Sequence, residues 1–405
     1  MAWGFSMASR FGRSMPKGIV ILNDGLGPNK GDQAILQAML TTLVPLIRDA
    51  EVSVLPYSWK IKNLWSYFRT IKRSDLLILG GGQALHDQTS PSFTLLVLSK
   101  VALACLLKKR VIAYGIGVGP LKTGIGRWVT RQIVNRFEKV TVREPASKRE
   151  LEEVGVNRPP IVVTADASFL LDPAPRERVE EILMEEGLAQ VPRPLIAIAP
   201  RRWFHYHHSL IPVRYKARLW GSMRGQEEFK GLERTLARVA DRLISEAGGS
   251  ILFIPMRRSQ GGTDPGQDDD RVADEILGLM KWRKGARILA HDYPPSEMKG
   301  VLGRMDLILG MRMHSLLLGG AMGVPGVGIG ITSKFKPLFE MMGQGAYLID
   351  LQDLREDRLF ERIQTGLSER EKIAKELRIQ AERLRLQAGI NNDAVLRLLG
   401  QGRET

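Results

Sequence analysis

The sequence predicts an α/β protein made of two doubly wound halves, each a parallel sheet flanked by helices. Three observations carry this. At 405 residues the chain exceeds what one hydrophobic core usually organises. Short apolar runs recur, each followed by a glycine-rich or polar turn and then a segment of helical period, which is the pattern of βα units. These runs also fall into two series. The first covers 18–23, 52–56, 76–79, 111–114, 139–142 and 161–163. The second covers 195–199, 250–254, 287–289, 307–309 and 326–328, with 347–349 after it. Asp172-Pro173-Ala174-Pro175 ends the first half and Val191-Pro192-Arg193-Pro194 opens the second, with a short amphipathic helix between them. The expected organisation is a basic extension over 1–17, a first domain over 18–175, a linker helix over 176–194, a second domain over 195–350 and a helical tail over 351–405.

Composition narrows the function classes. Hydrophobic residues make up 44% and glycines number 41, which suits a globular α/β protein. Cys105 is the single cysteine, so no intrachain disulfide forms; its apolar surroundings place it in the core. No apolar run reaches the roughly 20 residues needed to cross a bilayer. The net charge of +15 admits nucleic acid, anionic lipid or an anionic small substrate as partner. Arg and Lys are spread along the chain without interleaved stacking aromatics, which argues against nucleic acid. In the tail, Ile373, Leu377, Leu384 and Leu386 suggest an apolar stripe. It predicts a helix packing back over the first domain, with a membrane-surface or partner helix as the lesser reading.

Ligands of open α/β sheets bind beyond the carboxyl ends of the strands, and glycines concentrate there. Asn29, Gly31 and Asp32 follow the first strand, where glycine lets backbone approach a ligand and a helix start offers free N–H groups. Asp32 either caps that helix or accepts from a substrate hydroxyl as its base. Gly80-Gly81-Gly82 forms a second turn and Tyr114–Pro120 a third. Neither is a dinucleotide fingerprint, and no phosphate loop is present, which disfavours a nicotinamide enzyme or a P-loop NTPase.

The second half supplies Arg312-Met313-His314-Ser315 between a buried strand and a helix, where Arg312 and His314 can both point into the crevice. Ile331-Thr332-Ser333-Lys334 adds a cation at the same edge, and Arg143 follows a strand of the first half. Two arginines and a lysine converging from both halves suit a ligand bearing phosphate and carboxylate together. Arg201 or Arg202, after the 195–199 strand, is a further candidate contact. His205-Tyr206-His207-His208 suits a sugar- or nucleotide-facing loop better than a metal site, and Asp268-Asp269-Asp270 reads as a helix cap. No metal or cofactor is expected.

Four features resemble the polysaccharide pyruvyl transferase family. They are Asn29-x-Gly31-Asp32-x-Ala34-Ile35, Gly80-Gly81-Gly82, Val142-Arg143-Glu144-x-x-Ser147, and Arg312-x-His314-Ser315 followed by Gly323-Val324-Pro325. Their order and spacing run through about residues 18–345. The resemblance implies a GT-B-like architecture of two Rossmann-like domains facing a cleft. It also implies transfer of pyruvate from phosphoenolpyruvate to a sugar, usually as a cyclic ketal and without an essential metal. Carried onto this chain, Arg143 and Arg312 hold phosphoenolpyruvate, with His314 at the reacting centre. Lys334 matches the family's lysine more loosely, since Ile331-Thr332-Ser333 replaces the usual turn, and Lys336 is its substitute. Ser315, Asn29, Gly31, Gly81 and Gly82 complete the expected binding set.

The chemistry fits the same residues. Phosphoenolpyruvate is a strongly anionic ligand for which an arginine pair is the expected clamp. Hydroxyl attack at its central carbon needs a proton delivered to the methylene carbon and another removed from the hydroxyl. Imidazole is a suitable acid beside a phosphate. Asp32 is the candidate base and Asp166 the second choice. A GT-B glycosyltransferase using a nucleotide sugar is the alternative enzyme, and a non-catalytic adaptor for anionic glycan or a membrane surface is the alternative class. The expected setting is the cytoplasm, with peripheral contact at the inner face of the membrane left open. The acceptor's identity and carrier are not written in the sequence.

Overall fold

The computed structural model describes residues 18–47, 50–87, 91–202, 226–258, 268–332 and 335–400. The basic extension, the loop carrying His205, His207 and His208, and Lys334 lie outside the described residues.

The first sheet contains β1 (Gly18–Leu22), β2 (Glu51–Leu55), β3 (Leu76–Gly80), β4 (Gln83–Leu85), β5 (Arg110–Val118), β6 (Lys139–Val142) and β7 (Ile161–Val163). The second contains β8 (Leu195–Ala199), β9 (Ser250–Phe253), β10 (Ala286–Ile288), β11 (Leu307–Gly310), β12 (Gly326–Gly330) and β13 (Leu348–Asp350). The orders are β2-β1-β3-β5-β6-β7, with β4 beside β5, and β10-β9-β8-β11-β12-β13. All pairings within both sheets are parallel. Strands such as Gly18–Leu22 and Leu307–Gly310 are continuous apolar runs because both their faces are covered. Each order reverses once, between β1 and β3 and between β8 and β11. Those reversals open the crevices where doubly wound sheets take ligands.

The helices in chain order are α1 (Lys30–Thr42), α2 (Leu64–Arg73), α3 (Pro91–Leu106), α4 (Gly124–Val134), α5 (Pro145–Val154), α6 (Arg176–Glu185) and α7 (Gln226–Ser245). They continue as α8 (Asp269–Leu279), α9 (Pro295–Leu302), α10 (Met313–Gly320), α11 (Phe335–Met341), α12 (Glu356–Ser368) and α13 (Arg370–Leu398). Helices α2 to α5 cover one face of the first sheet through Ile71, Val101, Val134 and Leu151. The opposite face is covered by α1 and the end of α13, through Ile35, Met39 and Val395.

Two helices tie the halves together. Ala34 and Ala38 on α1 join the core of the second half, while Ile35 and Met39 on the same helix pack into the first. Alanine at those positions leaves no bulk to hold the surfaces apart. The tail folds back as α13. Its Asn392 accepts from the Tyr114 hydroxyl at 2.6 Å, and Asn391 accepts from Thr164 Oγ1 at 2.9 Å while donating to the Ala165 carbonyl at 3.2 Å. A buried amide with its partners met fixes where the helix docks.

Several expectations change. The tail is two helices, with Ile373, Leu377 and Leu384 buried as expected but Leu386 exposed. Two residues beyond Leu384 is about 200° around a helix, so Leu386 falls on the far side. The third glycine stretch is not a turn: β5 runs through it to Val118. Gly115 at φ +56° and a register shift between Ala113 and Ile116 mark a bulge there. Gln83–Leu85 is a short strand the periodicity does not show. Cys105 is half-buried rather than core. The helix between the prolines does more than link, since Val179, Ile182 and Leu183 belong to the second core.

Candidate active site

The site forms where the two crevices meet, and α1 places it. Asn29 caps α1 by accepting from the Gly31 N–H at 3.1 Å, so the capping role considered for Asp32 falls to Asn29. The Asn29 amide also donates to Asp32 Oδ2 at 2.7 Å. A Cβ on Gly82, which sits at φ +69°, would lie 3.1 Å from the other oxygen of Asp32. Gly81, at φ +42°, lies so close to Ile35 that a Cβ would stand 2.2 Å from its Cγ2. The glycines of the second turn thus let Asp32 and α1 approach the sheet. Backbone carbonyls of Gly80 and Gly81 accept from the Tyr57 hydroxyl at 3.0 and 3.1 Å.

The second half reaches α1 at the same point. The Lys30 N–H donates to the Met256 carbonyl at 2.9 Å, and the Lys30 ammonium pairs with Asp292 at 2.8 Å. His314, in the first turn of α10, lies directly on Gly31: a Cβ there would be 2.2 Å from His314 Nδ1. Its Nε2 lies 3.6 Å from Asp166 Oδ2, and the side chain retains 11% exposure. The imidazole therefore belongs to one half and is seated against the other.

Asp166 anchors that seat. It accepts from the Ser168 N–H at 2.9 Å and from Arg143 at 2.9 Å. Burial works to raise its carboxyl, but His314 first, then Arg143 and Ser168, hold it well below the usual carboxylate range. The remaining nitrogens of Arg143 bond Glu144 at 2.8 Å and Gln83 at 2.9 Å. Gly117 on β5 has no side chain because the Arg143 guanidinium and the Gln83 amide fill that space. Glu144 in turn accepts from the Ser147 hydroxyl, so the Val142–Ser147 motif is the scaffold of Arg143.

Arg312 is held separately. Its Nε and Nη2 form a fork on Asp269, at 2.9 and 2.6 Å, leaving Nη1 outside the pair. Asp269 is fully buried and also accepts from the Met256 N–H at 3.1 Å. The aspartate run does cap α8, through Asp268 accepting from the Asp270 N–H. Its middle member is the one that positions Arg312.

The structure brings Asn29, Gly31, Asp32, Gly82, Arg143 and His314 to one place, with Arg312 adjoining. Ser315 turns its hydroxyl back onto the Arg312 carbonyl at 2.6 Å. Arg201 is electrostatically coupled to Asp269, whereas Arg202 pairs with Glu233 and Glu275. Lys336 is exposed on α11. Among the described residues no group of three or more His, Cys, Asp or Glu could hold a metal ion. Asp24 is a residue that sequence reasoning passed over. Burial, and next the charge of Asp32, push its carboxyl up to about 7. The available signal was its place directly beyond the first strand.

Comparison with known proteins settles the family. The model of the family described as polysaccharide pyruvyl transferase matches residues 29–333.

The chain belongs to the polysaccharide pyruvyl transferase family.

With the family comes a transferase that modifies polysaccharide. The chain is 23% identical over 331 residues to the amylovoran biosynthesis protein AmsJ of Erwinia amylovora, covering 82% of this chain and 74% of that protein. Among solved structures it is similar to Anabaena HepE in complex with UDP, with 12% identity and a TM-score of 0.58 over 95% of this chain and 99% of that one. It is likewise similar to a putative UDP-N-acetylglucosamine 2-epimerase from Listeria monocytogenes. There the identity is 11% and the TM-score 0.59, over 96% of this chain and 98% of the other. At such identities the likeness is one of fold: two parallel-sheet domains in a GT-B-like arrangement, as expected.

Gly31→Ala tests the seat of His314. It should lower transfer by roughly 10²-fold with the fold kept, because a misplacement of about 1 Å at a reacting group costs that much. Activity and circular dichroism measured together check this.

Proposed function

We propose that this pyruvyl transferase family member moves pyruvate from phosphoenolpyruvate onto a sugar as a ketal, with His314 as the acid. The observation supporting this is the cross-domain seat of His314 on Gly31 and beside the Asp166–Arg143 pair. It holds one imidazole between the start of α1 and the Asp166 carboxylate where the halves meet.

In this reading a proton from His314 goes to the methylene carbon of phosphoenolpyruvate, making the methyl group. A sugar hydroxyl bonds to the central carbon and gives up its proton. A second hydroxyl of the same sugar then bonds that carbon as phosphate leaves, which closes the ketal. Both hydroxyl protons are thereby accounted for, one replacing the proton lost by His314 and one leaving with phosphate. Arg312 offers the Nη1 edge left outside its pair with Asp269, and the start of α10 its N–H groups, to the anion. Arg143 is already matched by the carboxylates of Glu144 and Asp166, so from the other half it contributes by fixing Asp166 beside His314. Lys334 is retained as a further phosphate contact.

Asp32 was the expected base. Asp24 is better matched to that task, since a carboxyl that titrates near 7 is half-deprotonated at neutral pH and still basic enough to take a hydroxyl proton. Asp32 then helps to hold its proton, after burial, through its negative charge. The acceptor is a sugar of a cell-surface polysaccharide or of its lipid- or nucleotide-linked precursor. Solved relatives in fold carry UDP, which favours a nucleotide on the acceptor as a second reading.

Mixing the protein with phosphoenolpyruvate and a panel of acceptor sugars should release phosphate, and His314→Ala should reduce the release by roughly 10²–10⁴-fold. Release unchanged in that variant would sink the reading. For the base, kcat/KM should climb with pH through about 7 as Asp24 loses its proton. In Asp24→Asn the climb should vanish along with most of the rate; a climb that persists would remove Asp24 from the role.

A further inference from the structure

We propose that the outer face of helices α2, α3 and α4 is a docking surface for an anionic lipid bilayer. Among the described residues no helix is long and apolar enough to cross a membrane, so the contact is peripheral.

The first observation is a charge asymmetry. Residues 52–137 hold thirteen Lys and Arg against two acids, Asp75 and Asp87. That stretch is about a fifth of the chain, yet it carries a formal +11 of the total +15. Neither acid offsets the helical face. Asp87 is buried and accepts from the Thr123 N–H and hydroxyl, while Asp75 reaches the Gly18 N–H at the edge of β1. The net charge noted in the sequence is therefore not spread evenly over the fold.

The second observation is apolar side chains left in water on the same face. Helices α2, α3 and α4 lie side by side over one face of the first sheet. Trp65 is 65% exposed on α2, and Ile125 and Trp128 are 55% and 62% exposed on α4. Leu106, at the end of α3, is 73% exposed. Between the tryptophans, α3 carries one charged residue in sixteen, Lys100, and that ammonium is turned inward. It donates to the Tyr57 and Ser58 carbonyls at 2.8 Å and lies 4.3 Å from the centre of the Trp59 ring. The outward side of α3 is thus uncharged. Trp65 is stacked on Phe68 with the Arg69 guanidinium over it, a ring and cation pairing that suits the headgroup level of a bilayer.

An apolar centre with tryptophans at its sides and basic residues around it matches the chemistry of a surface-bound helix layer, where acyl chains take the rings and anionic headgroups the cations. The charge excess selects this occupant over a second copy of the chain, since two such faces would repel each other. Trp65 and Ile125 lie at the starts of α2 and α4, which are at the strand carboxyl edge of the sheet, the edge that carries Gly80–Gly82. A bilayer on this face would therefore adjoin the crevice.

The test uses full-length protein sedimented with vesicles of phosphatidylglycerol and phosphatidylcholine, and with vesicles of phosphatidylcholine alone. The protein should pellet with the mixed vesicles only, and pelleting should fall as salt rises. Trp65→Ala combined with Trp128→Ala should weaken binding by about tenfold, and so should Lys108→Glu combined with Lys109→Glu, the basic pair in the turn directly after α3 and its exposed Leu106. Phosphate release with a soluble acceptor should be unchanged in both, since none of these side chains belongs to the site around His314, and this doubles as the check on folding. Failure of the wild type to pellet with anionic vesicles overturns the proposal, as does equal pelleting of the tryptophan variant. Binding to an anionic polysaccharide without vesicle binding, or self-association lost in the tryptophan variant without vesicle binding, overturns it in favour of those partners.

Discussion

Gly31 has no side chain, and His314 occupies the space one would fill. The rest of the site depends on that contact. The chain must bring a histidine from one doubly wound half against the helix start of the other, within 3.6 Å of Asp166. Everything that docks the halves serves this placement: the small faces of Ala34 and Ala38, the Lys30 N–H on the Met256 carbonyl, and the tail helix pinned by Asn391 and Asn392. His314 is therefore positioned by tertiary packing and not by its own loop.

Buried charge sets the second constraint. Arg143 and Arg312 are removed from water, which is costly unless each finds a carboxylate. Arg143 has Glu144, Asp166 and Gln83, and Arg312 has the fork on Asp269. Both guanidinium groups are thus already oriented, and an anion binding beside Arg312 would compete with its internal acid. Preorganised charge of this kind costs little reorganisation when charge develops in a reaction.

Much of the fold was legible because parallel strands buried on both faces read as unbroken apolar runs ended by glycine, as at Gly18–Leu22 and Leu307–Gly310. Most boundaries shifted by a residue or two, and the end of β5 by four, since strand ends depend on pairing that sequence does not show. Gly115 and Gly117 misled for a physical reason. Glycine signals a turn, but here it serves a bulge and the close approach of Arg143 inside a strand. The site's arginines and histidine were visible as basic residues beyond strands. Their partners were not, because Asp269 lies 43 residues from Arg312 and Asp166 lies 23 from Arg143. Only the fold joins them, and an acid in a run of three looks from sequence like a helix cap.

The central claim is that Asp166 acts by holding His314 across the domain boundary. A double-mutant cycle on kcat tests it, comparing Asp166→Asn in the native background and in His314→Ala, with phosphoenolpyruvate and a competent acceptor. Removal of the carboxylate should lower kcat in the native enzyme and cost almost nothing once the imidazole is gone. Equal losses in the two backgrounds would show that Asp166 works independently of His314 and would contradict the account.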